Sequence, residues 1–275
     1  MSNSRSRSEV RVADSITKMG PEFRGSVLVA GSHGGKYCGY LAALGGLSGV
    51  ILNDAGVGRD NAGIGALAYL EALGVPGATI SHRSARIGDG ADMMARGVIS
   101  ERNGPAAEQG CEVGMACALA AEKLGGAPGY EGAAPEYPEA RFELPRAGVR
   151  EVVGCDSASL VKSEDDAGRI LITGSHGGIL AARPQYGVAA PAFAAVFNDA
   201  GVGIDEAGLR RLDVLEANGV IGATVDAFSA RIGDARSAWE DGLLSFINAS
   251  GHNAGLDVGM TLREMVSTLA EHSAS

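Results

Sequence analysis

A chain of 275 residues with 45% hydrophobic residues can bury a sizeable core without metal or disulfide staples. A formal net charge of -10, with no basic stripe interleaved with aromatics, argues against nucleic acid as a partner. No apolar run approaches the roughly 20 residues that a bilayer span needs, and the polar start Met1 to Ser8 lacks the apolar stretch of a secretion signal. The four cysteines, Cys38, Cys111, Cys117 and Cys155, have no CxxC spacing and read as reduced core thiols, so a cytoplasmic protein without a membrane partner is expected.

In chain order, the sequence predicts a short element near Val10 to Val12 and then a helical turn capped by Asp14 or Ser15. A strand over 26–30 runs into Gly31-Ser32-His33-Gly34-Gly35, and a small-residue helix follows near 37–46. A second strand, 49–52, ends at Asn53-Asp54. Asp60 is expected to cap a helix running to Leu73, with Gly74 in the C′ position. A third strand, 77–80, leads into Ser84-Ala85-Arg86-Ile87-Gly88-Asp89, and helices near 91–102 and 112–124, closed by Gly125, complete the unit.

The unit is then written again. Asn53-Asp54-Ala55-Gly56-Val57-Gly58 recurs as Asn198-Asp199-Ala200-Gly201-Val202-Gly203, and Ser84 to Asp89 recurs as Ser229 to Asp234. Between 50–95 and 195–240, 24 of 46 positions are identical. The glycine-histidine motif recurs as Gly174-Ser175-His176-Gly177-Gly178, and the lead-in Asp14-Ser15 as Asp156-Ser157. Continuous apolar strands alternating with helices give the expected fold class: α/β, internally duplicated, with mainly parallel sheets covered by helices in two pseudo-symmetric repeats. The repeats are placed at 9–125 and 151–270. The stretch 126–150, with four of the nine prolines, is read as a linker wrapping over the surface.

All three repeated motifs fall just after strands, where parallel α/β sheets bind ligands. His33 and His176 have the side chain suited to general acid–base work near neutrality. Ser32 and Ser175 offer hydroxyls beside them, and Gly34, Gly35, Gly177 and Gly178 offer backbone amides for an anion nest. Asp54 and Asp199 are read as partners of those histidines, with Asn53 and Asn198 alongside. They serve equally as turn-forming residues. Arg86 and Arg231 present a fork that matches a carboxylate, supported by Ser84 and Ser229, or else pair internally with Asp89 and Asp234.

The copies are not equivalent, because His82-Arg83 stands opposite Ala227-Phe228 and Lys36 opposite Ile179. A mechanism using one cysteine from each half is excluded, since Cys155 aligns with Ala13. No phosphate-binding or dinucleotide-binding glycine signature occurs, nor a Gly-x-Ser-x-Gly elbow. The expectation is therefore a cofactor-independent enzyme acting on a small anionic, carboxylate-bearing metabolite, first as a hydrolase of a C–N bond in a small cyclic amide or imide. Isomerisation or elimination by proton transfer on a small carboxylic acid fits the same residues, as does a non-catalytic protein that senses a small anion. A divalent metal held by the histidines and aspartates is a further alternative, and a homo-oligomer is expected.

Overall fold

The computed structural model describes residues 7–272. It is a duplicated α/β fold built on two mixed, mostly parallel sheets. The first repeat contains β1 (Val10–Ala13), β2 (Val27–His33), α1 (Lys36–Leu44), β3 (Gly49–Asn53), α2 (Gly65–Glu71), β4 (Gly77–Ile80), α3 (Gly90–Arg96), β5 (Ile99–Arg102), α4 (Gly104–Glu108) and α5 (Cys117–Leu124). Its five strands lie in the order β1-β2-β3-β4-β5, parallel except for β5.

The second repeat contains β6 (Arg141–Ala147), β7 (Arg150–Cys155), β8 (Ile170–His176), β9 (Ala194–Asn198), α6 (Arg211–Ala217), β10 (Ile221–Val225), α7 (Ala235–Asp241), β11 (Leu244–Ile247), α8 (Ala249–Asn253) and α9 (Leu262–His272). Its order is β11-β10-β9-β8-β7-β6, with both edge strands antiparallel. Among the described residues no helix is long and apolar enough to cross a membrane.

The strands are apolar on both sides because both faces are covered. Alternation along β2 sends Leu28 and Ala30 into one cluster with Ala42 of α1 and Leu70 of α2, and Val27 and Val29 into another with Met93 of α3 and Leu124 of α5. The second sheet repeats this, with Ile170 and Ile172 packed on the side of Trp239, Met265 and Leu269, and Leu171 and Phe197 on the side of Leu215.

Four details differ from the sequence expectation. The 91–102 segment is not one helix: Gly97 leaves α3 with extended backbone, and Ile99–Arg102 pairs antiparallel with β4. Asp60 does not cap a helix. It has φ +54°, and α2 starts five residues later without a side-chain cap. The end of the 126–150 stretch is strand β6 of the second sheet. Finally, no helix matches α1 in the second repeat, where Pro184, Gly187 and Pro191 interrupt the chain between β8 and β9.

The repeats meet through the loops at the carboxyl ends of their strands. Arg59 N donates to Ala227 O, and in the mirrored contact Ile204 N donates to His82 O, both at 2.8 Å. Ala55, Ile87, Ala200, Ala207 and Ile232 form a small apolar cluster between the halves. At its centre Gly56 faces Gly201, so closely that a methyl group on Gly56 would lie 2.8 Å from Gly201 Cα. We expect Gly56→Ala to destabilise the protein by about 2–4 kcal/mol, since both this contact and a φ of +77° oppose it. Gly74→Ala, at φ +69° with open space around it, should cost only about 1–2 kcal/mol. Denaturant unfolding of both variants checks the difference.

Candidate functional site

The glycine-histidine motifs are the ends of β2 and β8, where each strand bulges before His33 pairs with Asn53 and His176 with Asn198. The bulge turns both imidazoles toward the pseudo-symmetry axis, and their ring centroids stand 6.5 Å apart, edge to face. Both rings line one cavity of about 140 Å³ between the repeats. That is below the roughly 300–1,000 Å³ of drug-sized sites. The cavity is therefore shared by the two repeats.

The motif glycines serve packing and do not form an anion nest. Gly34 N donates to Asn53 O and Gly177 N to Asn198 O, while Gly35 N and Gly178 N donate to Nδ1 of His33 and His176, both at 3.1 Å. A methyl group on Gly34 would strike Gly63 O, and one on Gly177 would strike Gly208 O. Ser32 Oγ accepts from Ile16 N at 3.0 Å and Ser175 Oγ from Ala158 N at 2.9 Å, which fastens the lead-in loops over the cavity.

These bonds set the state of the imidazoles. Because Nδ1 accepts a backbone amide proton in each ring, the neutral form carries its proton on Nε2. Burial pushes His33 down to about 4. His176 is held well below its ordinary value by burial, by the nearby Arg211 charge and by His33. Both are neutral at pH 7, with the ring proton on Nε2. The acid–base role near neutrality expected from an unperturbed histidine is displaced by this burial.

Asp54 and Asp199 are not brought to these histidines. Asp54 Oδ1 accepts from Gly56 N, from His82 N and from His82 Nδ1, the last at 2.8 Å. Asp199 Oδ1 accepts from Gly201 N and Ala227 N. Both carboxylates hold the loops that join the repeats. Asn53 and Asn198 do likewise, each tying its own loop to the next through the carbonyls of Ala85 and Ala230.

Ser84 and Ser229 brace their loops against Val98 N and Leu243 N. Arg86 reaches across to Asp205 at 2.9 Å, and Arg231 to Asp60 and Asp234, both at 3.0 Å. Their forks are already engaged by carboxylates of the protein. Among the described residues, no group of three or more His, Cys, Asp or Glu is placed to hold a metal ion.

Comparison with known proteins finds no matching family model, no matching curated protein and no matching solved structure.

The charged groups at the cavity lie outside the repeated motifs. Lys18, Glu139, Arg183 and Arg211 line it, with Tyr37 and Tyr186. Burial pushes the Glu139 carboxyl up to about 7, aided by the Asp156 charge and opposed by hydrogen bonds from Tyr37 and Ser157. Tyr37 in turn is pushed up to about 12 by burial and by Glu139. The recurring Asp14 and Asp156 were the available sequence signal for this wall. Asp156 Oδ2 accepts from Ala140 N at 2.7 Å, next to Glu139, and Asp14 Oδ2 accepts from Ala182 N at 2.7 Å, next to Arg183. Each lead-in aspartate thus fastens a non-repeated segment over the shared cavity.

His82 distinguishes the two structural carboxylates. Burial alone would raise Asp54, but the side-chain and backbone hydrogen bonds from His82 outweigh it and hold the carboxyl below its ordinary range. Asp199, facing Ala227, is raised by burial. A lowered folded-state value means that the Asp54 contribution is present above the ordinary carboxylate range and lost as pH falls through the folded value. We expect Asp54→Asn to cost about 1.5–3 kcal/mol at pH 7 and to flatten the acid side of the stability profile. Asp199→Asn, which keeps its acceptor oxygen, should be neutral or stabilising. Urea unfolding between pH 3 and 8 reads both.

Proposed function

We propose that the protein is an enzyme that acts at a carbonyl group of a small, carboxylate-bearing metabolite. The observation that carries this reading is the pairing of two neutral Nε2–H imidazoles with a carboxyl group near 7 in one small cavity. Neutral imidazole donors can polarise a carbonyl and hold the oxyanion that forms from it. Glu139, part protonated and part ionised at neutral pH, can take a proton in one step and return it in the next. Lys18, Arg183 and Arg211 supply an electrostatic preference for an anion.

Hydrolysis of a C–N bond in a small cyclic amide or imide is the first reading. Glu139 would deprotonate water for attack on the carbonyl carbon, His33 and His176 would hold the tetrahedral oxyanion, and Glu139 would pass its proton to the departing nitrogen. Ser32 and Ser175 fit a nucleophilic role poorly, because their hydroxyls brace backbone amides and neither has a hydrogen-bonded base. The neutral state of the imidazoles favours a second reading as well. A carboxylate base with a neutral histidine electrophile is the arrangement of enolising enzymes, in which Glu139 would take a proton from carbon. Incubating the protein with cyclic imides and with oxo and hydroxy acids in D2O separates them, since only proton transfer at carbon introduces deuterium before ring opening.

In either case Glu139→Gln should lower kcat by about 10²–10⁴, and kcat/KM of the unaltered protein should show an inflection near pH 7. Stability should move the other way. A raised carboxyl value makes folding progressively less favourable as pH climbs from the ordinary range to about 7. Glu139→Gln removes that penalty, so it should be the more stable protein at pH 8. Full turnover in Glu139→Gln would overturn the assignment.

A further inference from the structure

Arg211 is only 4% exposed, yet among the described residues no carboxylate lies within ion-pairing distance of it. The guanidinium lies over the Phe197 ring at 4.6 Å, with Nη1 donating to Gly187 O at 2.5 Å and Nη2 to Gly178 O at 2.6 Å. Two of its five N–H groups are so engaged, and Nε has no hydrogen-bond partner. A buried cation without a counter-charge is costly, and buried charges are otherwise paired. This chain has 33 Asp and Glu against 23 Lys and Arg, but places none of those acids beside Arg211. Its first-repeat counterpart is Ala66, packed against Gly39 of α1, so the charge is an addition to the duplicated plan.

We propose that the Arg211 end of the shared cavity is a carboxylate subsite, where the anionic group of a ligand completes the charge of Arg211 beneath Arg183. This rests on the reading of the cavity as a site for a small carboxylate, and it assigns that ligand a direction. The carboxylate points into the second repeat, beside His176. The reacting group points to the wall formed by His33, Tyr37 and Glu139. The site is thus divided, the second repeat holding the ligand while Glu139 of the connecting stretch, beside His33 and Tyr37 of the first repeat, moves the proton. A cavity of about 140 Å³ suits a ligand with a few carbon atoms beyond the carboxylate.

The test uses malonate as an anionic probe and malonamide as its neutral counterpart, titrated calorimetrically into the full-length protein. Malonate should bind saturably, and malonamide at least 10-fold more weakly. Arg211→Gln should weaken malonate by about 10-fold or more, the loss expected for a hydrogen bond to a charged group. Because that substitution also releases the carbonyls of Gly178 and Gly187, the Arg211 Nε–H resonance of the unaltered protein is followed in parallel. It should shift with malonate at the calorimetric Kd. Unweakened malonate binding by folded Arg211→Gln, an Nε–H resonance that stays in place as malonate binds, or absence of saturable malonate binding would each overturn the subsite. Binding is read here without turnover. Arg211-dependent malonate binding in a protein that converts no substrate would leave the subsite standing and remove the proposed reaction instead.

Discussion

The contact on which the rest of the molecule depends is the approach of Gly56 to Gly201 across the pseudo-symmetry axis. It is made by loops in unfavourable conformations, since Ala55, Val57, Ala200 and Val202 all have positive φ. A β-branched residue in that region is strained, on the order of 1–3 kcal/mol each. The strain is held by short-range bonds, Val57 N to Asp54 O and Gly63 N to Val57 O, repeated as Val202 N to Asp199 O and Gly208 N to Val202 O. Asp54 and Asp199 fasten the same turns from the side-chain end. With the loops so folded, the strand ends of the two sheets face one another, and the histidine motifs come to opposite walls of one cavity.

Placing both histidines at an internal boundary also decides their chemistry. An exposed imidazole would titrate near neutrality. Here burial and a backbone amide on Nδ1 keep each ring neutral and leave Nε2–H as a donor. The same burial raises Glu139 into the range where it titrates at neutral pH. One physical effect, desolvation, therefore takes titration near neutrality away from the histidines and gives it to a carboxyl group.

The duplication has been put to unequal use. The repeated residues Asn53, Asp54 and Ser84, with their counterparts, brace the strand-end loops within each repeat, and Arg86 and Arg231 tie the halves together through Asp205 and Asp60. The residues that give the cavity its charge are those the repeat does not share. Glu139 comes from the stretch between the copies, Arg183 from the segment that replaces α1, and Arg211 from a position where the first copy has alanine. Symmetry builds the frame, and departures from symmetry furnish the site.

Much of this was legible in the chain itself. The repeat, the alternation of strands and helices, and the placing of the three motifs at or just beyond strand ends are local or periodic features, and local sterics and hydrophobic patterning are enough to specify them. His33 and His176 were legible for the same reason, as single titratable residues on glycine-rich strand ends. The partners of Asp54 and Arg86 were not, because His82 is 28 residues from Asp54 and Asp205 is 119 from Arg86, each on a different loop. Glu139 was hidden further still, inside a proline-containing stretch that reads as a connection. Which charges meet, and which protons they can hold, depends on distances and burial that exist only once the two repeats have closed on each other.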